Sequence, residues 1–397
     1  MKRYVFAAVF AVVVSAVQAE NWVATWQASP HAAWGDQFFV LPTGVPAALE
    51  RQTVRETARI SVGGRRVRVV LSNRYGAQPI VIGEARIARD LGDMASADIA
   101  LTFGGQHGAV IPAGAPLVSD AVEMPVAALE KLAISVYLPE RAPLATFHWG
   151  AQQTGRIAAG NQTAAATLPD AQALHGRALL SAIWVDAAAG GAVVAFGDSI
   201  TDGNGSTPDA DRRWPDYLAA RLHGTAIVNA GISGARLLGN RMGVNAVARF
   251  ELDVLSQPGV HTAIVLIGIN DIGWPQSIFA PHEPLMTADR MIAAYRQLIA
   301  QAHARKVRII GATLLPFEGT QIDGYYTPAK DAVRRQVNQW IRESREFDAV
   351  VDLDALLRDP DQPSRMQQRY DSGDHLHPGD AGYEAIAAEA ARIISRY

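Results

Sequence analysis

The stretch Ala192-Val193-Val194-Ala195-Phe196-Gly197-Asp198-Ser199-Ile200-Thr201 decides how this chain is read. Five apolar residues run straight into Gly-Asp-Ser and a polar, glycine-rich turn. An unbroken apolar run of that length is what a strand buried on both faces looks like, and such strands belong to parallel sheets covered by helices. Ser199 then sits at the carboxyl end of a strand, where open α/β sheets bind their ligands. It can expose its hydroxyl there while its backbone N–H points into the same pocket. Taken alone, it reads first as a turn serine capping a helix. The segment is not the Gly-x-Ser-x-Gly elbow of α/β-hydrolases, because Thr201 holds the last position.

Working towards the C-terminus, the texture stays the same. Apolar strands are expected at 192–196, 226–229, 263–267, 307–313 and 349–353. Helical stretches lie between them at 214–222, 247–255, 288–304 and 329–345, with a last helix from about 381. This alternation predicts a parallel sheet with helices on both faces. Towards the N-terminus the period changes to that of strands, at 55–62, 65–72, 80–88, 99–103, 132–138 and 178–185. Gly63-Gly64 between two alternating runs reads as a hairpin turn. Many short strands separated by Gly and Pro predict a β-sandwich. The small-residue stretch Ala187-Ala188-Ala189-Gly190-Gly191 is suited to a linker. The expected division is a leader over 1–19, a β-rich domain over 20–189 and an α/β domain over 190–397.

The leader reads as a secretory signal. Lys2 and Arg3 precede the apolar run Tyr4 to Val17, and Val17-Gln18-Ala19 offers small residues for cleavage after Ala19. The run is shorter than the ~20 residues a membrane span needs. A secreted or periplasmic protein without stable membrane insertion is therefore expected. With 397 residues, 49% of them apolar, the chain can bury a large core. It contains no cysteine, which excludes disulfides, thiolate metal sites and cysteine nucleophiles. A formal charge of −3 gives no sign of nucleic-acid binding.

Three further segments follow strand ends. Asn229-Ala230-Gly231-Ile232-Ser233-Gly234 is a loop in which glycine frees a backbone N–H for close approach to a ligand. Ile267-Gly268-Ile269-Asn270-Asp271 can aim the Asn270 amide into the same pocket, or use it in a local turn. Asp371-Ser372-Gly373-Asp374-His375-Leu376-His377-Pro378 precedes the last helix. There the Asp374 carboxylate can reach His377 Nδ1 and leave Nε2 free to take a proton. The His-x-His also admits a metal reading, but no further cluster at ligand spacing accompanies it. Together the four segments make a complete set for acyl transfer. Ser199 would be the nucleophile, His377 the base and Asp374 its orienting acid. The Ser199 N–H, the Gly234 N–H and the Asn270 amide would bind the oxyanion.

These blocks, in this order, resemble those of the SGNH (GDSL-type) hydrolases. Gly-Asp-Ser matches the first block, Asn-Ala-Gly-Ile-Ser-Gly the second, Gly-Ile-Asn-Asp the third and Asp-His-Leu-His-Pro the last. Ile200 stands where the GDSL name has Leu. The resemblance implies a flavodoxin-like SGNH-hydrolase domain preceded by the β-sandwich domain. It also implies that Ser199, Gly234, Asn270 and His377 are the four name-giving residues, with Asp374 the triad acid. It is the motif alignment that favours Ser199 over Ser233 and His377 over His375. More loosely, the Trp-Val-Ala-Thr-Trp opening and the Val-Arg-Val-Val-Leu-Ser-Asn strand resemble those of secreted bacterial GDSL esterases.

The expected protein is a secreted serine ester hydrolase that needs no metal or organic cofactor. Its expected substrate is a small-molecule or polysaccharide ester, with removal of acetyl or other short acyl groups from carbohydrate. The alternatives are a lipase or carboxylesterase for short acyl chains, an acyltransferase, and a non-catalytic carbohydrate-binding surface protein. Trp274, Tyr325 and Tyr326 lie on loops after the third and fourth strands and are candidates for substrate contact. Asp198 is expected to hold the nucleophile's turn through backbone hydrogen bonds.

Overall fold

The computed structural model describes residues 20–34, 38, 41–92, 95–187 and 190–396. The expected leader, 1–19, lies outside the described residues, as do 188 and 189 of the expected linker.

Five strands form one parallel sheet: Ala192–Gly197, Ala226–Gly231, Val260–Leu266, Arg308–Ala312 and Ala349–Val351. Their spatial order is second, first, third, fourth, fifth. In that order the direction of progression reverses between the first and third strands, which is where doubly wound sheets open a crevice. Right-handed crossovers then put Trp214–Arg221 on one face. They put Ala246–Phe250, Ala288–Ala304 and Pro328–Glu343 on the other. The packing agrees. Trp214–Arg221 lies against the last helix, Asp380–Ile394, while Ala288–Ala304 contacts both Ala246–Phe250 and Pro328–Glu343.

Every residue of Ala192–Gly197 is buried, so the strand needs no polar alternation. Phe196 meets Phe250 edge-on, with ring centroids 5.2 Å apart. The buried Arg249 guanidinium lies 4.2 Å from the Phe196 centroid. Arg249 donates to the carbonyls of Gly197 (2.7 Å) and Ala230 (3.0 Å) and pairs with Asp253 at 2.8 Å. One buried cation therefore ties together the carboxyl ends of the first two strands.

The β-rich half is built on two antiparallel sheets. One contains Trp22–Gln27, Leu180–Asp186 and Gly64–Ser72, with Pro116–Val118 and Val122–Val126 both on the last of these. The other runs Gln172–Leu174, Gly155–Ala159, Gln52–Arg59, Lys131–Leu138, Glu84–Asp90, Ala95–Ala100. Glu56 links them, its buried carboxylate accepting the N–H groups of Ala178 (2.9 Å) and Leu180 (3.1 Å). Burial raises the Glu56 pKa, with the Arg177 charge opposing.

The hairpin expected at Gly63-Gly64 does not form, because Gln52–Arg59 and Gly64–Ser72 belong to different sheets. The link between them bonds elsewhere: Ser61 N–H to the Thr25 carbonyl at 3.0 Å, and Val62 N–H to Thr25 Oγ1 at 2.8 Å. A Cβ on Gly63 would lie 2.2 Å from the Val126 carbonyl oxygen, and one on Gly64 2.8 Å from that of Asp186. The glycines allow backbones to pass closely. A two-residue hairpin turn needs positive φ, which neither glycine has. The 80–88 run likewise breaks at Gly83 into Ile80–Ile82 and Glu84–Asp90.

The two halves are bonded along a seam. Ala24 N–H reaches the Pro258 carbonyl at 2.9 Å, Ile227 N–H reaches Ser61 Oγ at 3.0 Å, and Lys131 pairs with Asp211 at 2.8 Å. No helix among the described residues is long and apolar enough to cross a membrane.

Candidate active site

The first parallel strand ends at Gly197, where a Cβ would meet Thr201 Oγ1 at 2.1 Å and the Leu266 carbonyl oxygen at 2.4 Å. Only glycine lets the chain turn so tightly. Asp198 caps the helical turn Ser199–Asp202, its carboxylate accepting Ile200 N–H at 3.1 Å. This is the turn-holding contact expected for it. Burial raises the Asp198 pKa to about 7, against the backbone hydrogen bonds and the nearby His377. Ser199 becomes the first residue of the turn, so its N–H has no partner within the helix.

The second strand leads into a turn closed by Ala235 N–H on the Ile232 carbonyl at 3.0 Å. Gly234 stands third in that turn with φ +75°, and a Cβ there would lie 2.3 Å from Met242 Sδ. Among the described residues, no acceptor takes the Gly234 N–H. The third strand leads to Asn270, in the short helix Ile269–Gly273. Its Oδ1 accepts the Tyr325 hydroxyl at 2.7 Å, and its Nδ2 donates to the Ala235 carbonyl at 3.0 Å. These bonds fix the amide's orientation and leave one N–H to give. Asp271 straps the same loop down, accepting the N–H groups of Leu237 (2.5 Å) and Leu238 (2.9 Å). Burial raises its pKa to about 6 in spite of those bonds.

The loop before the last helix completes the cluster. His377 Nε2 lies 2.8 Å from Ser199 Oγ, and His377 Nδ1 lies 2.5 Å from Asp374 Oδ2. Asp374 Oδ1 accepts the N–H groups of Leu376 (2.9 Å) and His377 (2.8 Å). Burial pushes the Asp374 pKa up. The hydrogen bonds and charge from His377 outweigh it and hold the carboxyl well below the usual carboxylate range. His375 instead turns to Asp371, with Nδ1 2.6 Å from the carboxylate. Ser233 Oγ donates to Asp202 at 2.6 Å. Ser199, His377 and Asp374 are therefore joined by hydrogen bonds and Asn270 bonds the carbonyl of Ala235, next to Gly234, while Ser233 and His375 bond elsewhere.

The loop aromatics correct the expectation made for them. Trp274 and Tyr325 are each only 1% exposed and have no face to offer a substrate. Trp274 stacks on Phe279 (5.1 Å) and Phe38 (5.8 Å), with the Arg236 guanidinium 4.8 Å from its ring. Tyr325 holds Asn270. Tyr326 is partly exposed and donates to Glu318 at 3.1 Å. Sequence reasoning missed the Tyr325–Asn270 bond, the Asp271 strap and the Arg249 tie. Its place shortly after a strand end was the available signal for Asp271, whereas nothing in the sequence marked the other two.

Residues 195–385 match the family model described as GDSL-like lipase/acylhydrolase. No curated protein matches the chain. Similar solved structures include an acetylxylan esterase from Geobacillus stearothermophilus, at 26% identity over 51% of this chain and 94% of that one, with a TM-score of 0.38. Another is a carbohydrate acetylesterase from Sinorhizobium meliloti, at 16% identity over 52% and 98%, TM-score 0.40. A third is a GDSL-like lipase from Bacteroides thetaiotaomicron, at 19% identity over 52% and 88%, TM-score 0.40.

Proposed function

We propose, on the premise that residues 195–385 belong to the GDSL-like lipase/acylhydrolase family, that the protein is an exported serine ester hydrolase removing short acyl groups from carbohydrate. One observation carries the ester-hydrolase reading. Ser199 Oγ, His377 and Asp374 form an unbroken hydrogen-bond chain. A serine hydroxyl is a poor nucleophile until a base removes its proton. His377 Nε2 takes that proton as Ser199 Oγ attacks the ester carbonyl. Asp374 keeps Nδ1 protonated and stabilises the imidazolium. The oxyanion faces the N–H groups of Ser199, Gly234 and Asn270. Collapse of the tetrahedral intermediate expels the alcohol, which leaves with the proton from His377. Water, deprotonated by His377, then attacks the acyl-enzyme, and the acid departs as Ser199 regains its proton.

Two features support the choice of substrate. The large apolar side chains beyond Asn270 pack on one another, with Trp274, Phe38 and Phe279 in mutual ring contact, which favours a short acyl group over a long chain. A cavity of about 290 Å³ is lined by Trp149, Gln152, Gln153, Thr154, His175 and Asn204. Trp149 beside three amides and the Thr154 hydroxyl suits a sugar, and Gly150 of the same lining packs against Ser233, one residue from Gly234. Export rests on Lys2, Arg3 and the apolar run ending at Ala19.

The test is hydrolysis of p-nitrophenyl acetate by wild type and by Ser199→Ala, followed by acetate release from acetylated polysaccharides with triacylglycerols as the contrast. Ser199→Ala is expected to fold and lose turnover by at least about a thousandfold. Full activity in that variant refutes the mechanism, and a preference for triacylglycerol refutes the carbohydrate substrate.

A further inference from the structure

The Gly234 N–H belongs to the peptide between the second and third residues of the Ile232–Ala235 turn. Positive φ at the third residue is the type II pattern, whereas type I has negative φ there. The two types differ by rotation of this same peptide. Turning it over would aim the Ser233 carbonyl, an acceptor, where the N–H now points. An oxyanion hole built on Gly234 therefore requires that Ser233 be held.

What holds Ser233 is a chain of contacts that begins in the other half of the molecule. Ser233 N–H and Ser233 Oγ both donate to Asp202 Oδ2, at 3.0 and 2.6 Å. The opposite oxygen, Asp202 Oδ1, lies 2.9 Å from His148 Nε2. His148 Nδ1 lies 2.9 Å from the Ser29 carbonyl oxygen. Each ring nitrogen lies within hydrogen-bond distance of an oxygen, so the ring is fixed at both ends. His148, Asp202 and Ser233 are all buried. His148 sits on the strand Thr146–Trp149 of the β-rich half. Two residues on, Gly150 adopts φ +75°, and a Cβ there would lie 2.7 Å from Ser233 Oγ. The β-rich half thus presses on the oxyanion turn at two points, although it supplies no reacting atom.

We propose that His148 is a positioning residue for the esterase reaction: it locks Asp202, and through it the Ser233–Gly234 peptide, so that the Gly234 N–H faces the developing oxyanion. This rests on the ester-hydrolase reading above. It gives the β-rich half a part in turnover as well as in stability. A donor to an oxyanion acts mainly in the transition state, so misplacing it lowers kcat and leaves KM nearly unchanged.

The experiment measures kcat, KM and inhibition by an aryl boronic acid, a tetrahedral mimic, on the full chain. The variants are His148→Phe, His148→Gln, Ser233→Ala, Gly150→Ala and the double variant His148→Phe/Ser233→Ala, with thermal melts to establish folding. His148→Phe and Ser233→Ala are expected to lower kcat about ten- to a hundredfold, part of the effect of deleting an oxyanion donor. KM should stay within about twofold, and boronate affinity should fall with kcat. His148→Gln retains a donor to Asp202 and should recover most of the loss. The double variant should be no slower than the worse single variant, because both break one chain. Gly150→Ala, which adds a methyl 2.7 Å from Ser233 Oγ and 3.3 Å from Asp202 Oδ2 at a residue with φ +75°, should slow turnover while leaving the His148 side chain in place. It decides the matter together with His148→Gln if His148→Phe fails to fold. Folded variants with kcat within about twofold of wild type, or single losses that multiply in the double variant, overturn the proposal and leave the esterase reading intact. A wild-type chain that hydrolyses no ester overturns both.

Discussion

Two histidine–aspartate pairs lie near the oxyanion turn, and they differ in what the second ring nitrogen meets. In the loop before the last helix, His377 gives Nδ1 to Asp374 and presents Nε2 to Ser199 Oγ, a group that can lose a proton. At the seam, His148 meets the Asp202 carboxylate through Nε2 and the Ser29 carbonyl through Nδ1, and neither partner can hand over a proton. The side chains are the same and the carboxylate contacts have similar lengths, yet only one pair is arranged for proton transfer. A neighbouring carboxylate orients a histidine. The partner of the remaining nitrogen decides whether that histidine can do chemistry.

The largest expected effect breaks the pair that faces Ser199. His377→Ala removes the base and should lower kcat/KM on p-nitrophenyl acetate by at least about a thousandfold. A loss below tenfold in a folded variant would mean that the contrast between the pairs is not catalytic. A smaller effect is expected one contact away from the reacting atoms. Tyr325→Phe removes only the hydroxyl that holds Asn270 Oδ1. One buried hydrogen bond is worth about 1 kcal/mol, so kcat should fall roughly fivefold with KM unchanged. A rise in KM alone would show Tyr325 contacting substrate, which its burial argues against.

The same contrast marks what the sequence could reveal. The parallel strands were legible because each is a short apolar run between helical periods, and Ala192–Gly197 is buried throughout. Ser199, Gly234 and Asn270 were legible because each stands shortly after a strand end, where the fold gathers ligand-binding groups, and Asp374 and His377 because their spacing lets the carboxylate reach the imidazole. His148 and Asp202 were not legible as partners. They are distant in sequence, and His148 lies on the short strand Thr146–Trp149, which no periodicity in the sequence marked. Gly63-Gly64 misled for a related reason: a glycine pair marks close backbone approach as readily as a turn, and only tertiary packing distinguishes the two. The loop aromatics misled because surface loops usually expose such rings, whereas Trp274 and Tyr325 fill space behind Asn270.

Two carboxylates near the nucleophile extend the comparison. Asp374 is held well below the ordinary range by His377, whereas burial raises Asp198 to about 7. An acid whose pKa is higher folded than unfolded binds its proton more tightly in the folded state. Its contribution to stability is therefore full below about 4, declines as pH rises to about 7, and is a constant penalty above that. Asp198→Asn is neutral at every pH and keeps an oxygen to accept Ile200 N–H. Its Tm relative to wild type should rise by several degrees between pH 4 and 7 and then level off. A difference independent of pH would show that Asp198 titrates alike in both states.

The smallest effect is expected at the third histidine–aspartate pair. His375 shares the loop with His377 and binds Asp371 at 2.6 Å, a contact as close as that of His377 with Asp374. It is exposed, and no Ser199 oxygen lies at its second nitrogen. If the second nitrogen's partner decides function, His375→Ala should keep kcat/KM within about twofold of wild type, with a stability loss of about 1 kcal/mol for the bond between an exposed histidine and the less exposed Asp371. A loss approaching that of His377→Ala would move the base to His375. It would also mean that the proximity of His377 Nε2 to Ser199 Oγ does not identify the group that takes the proton.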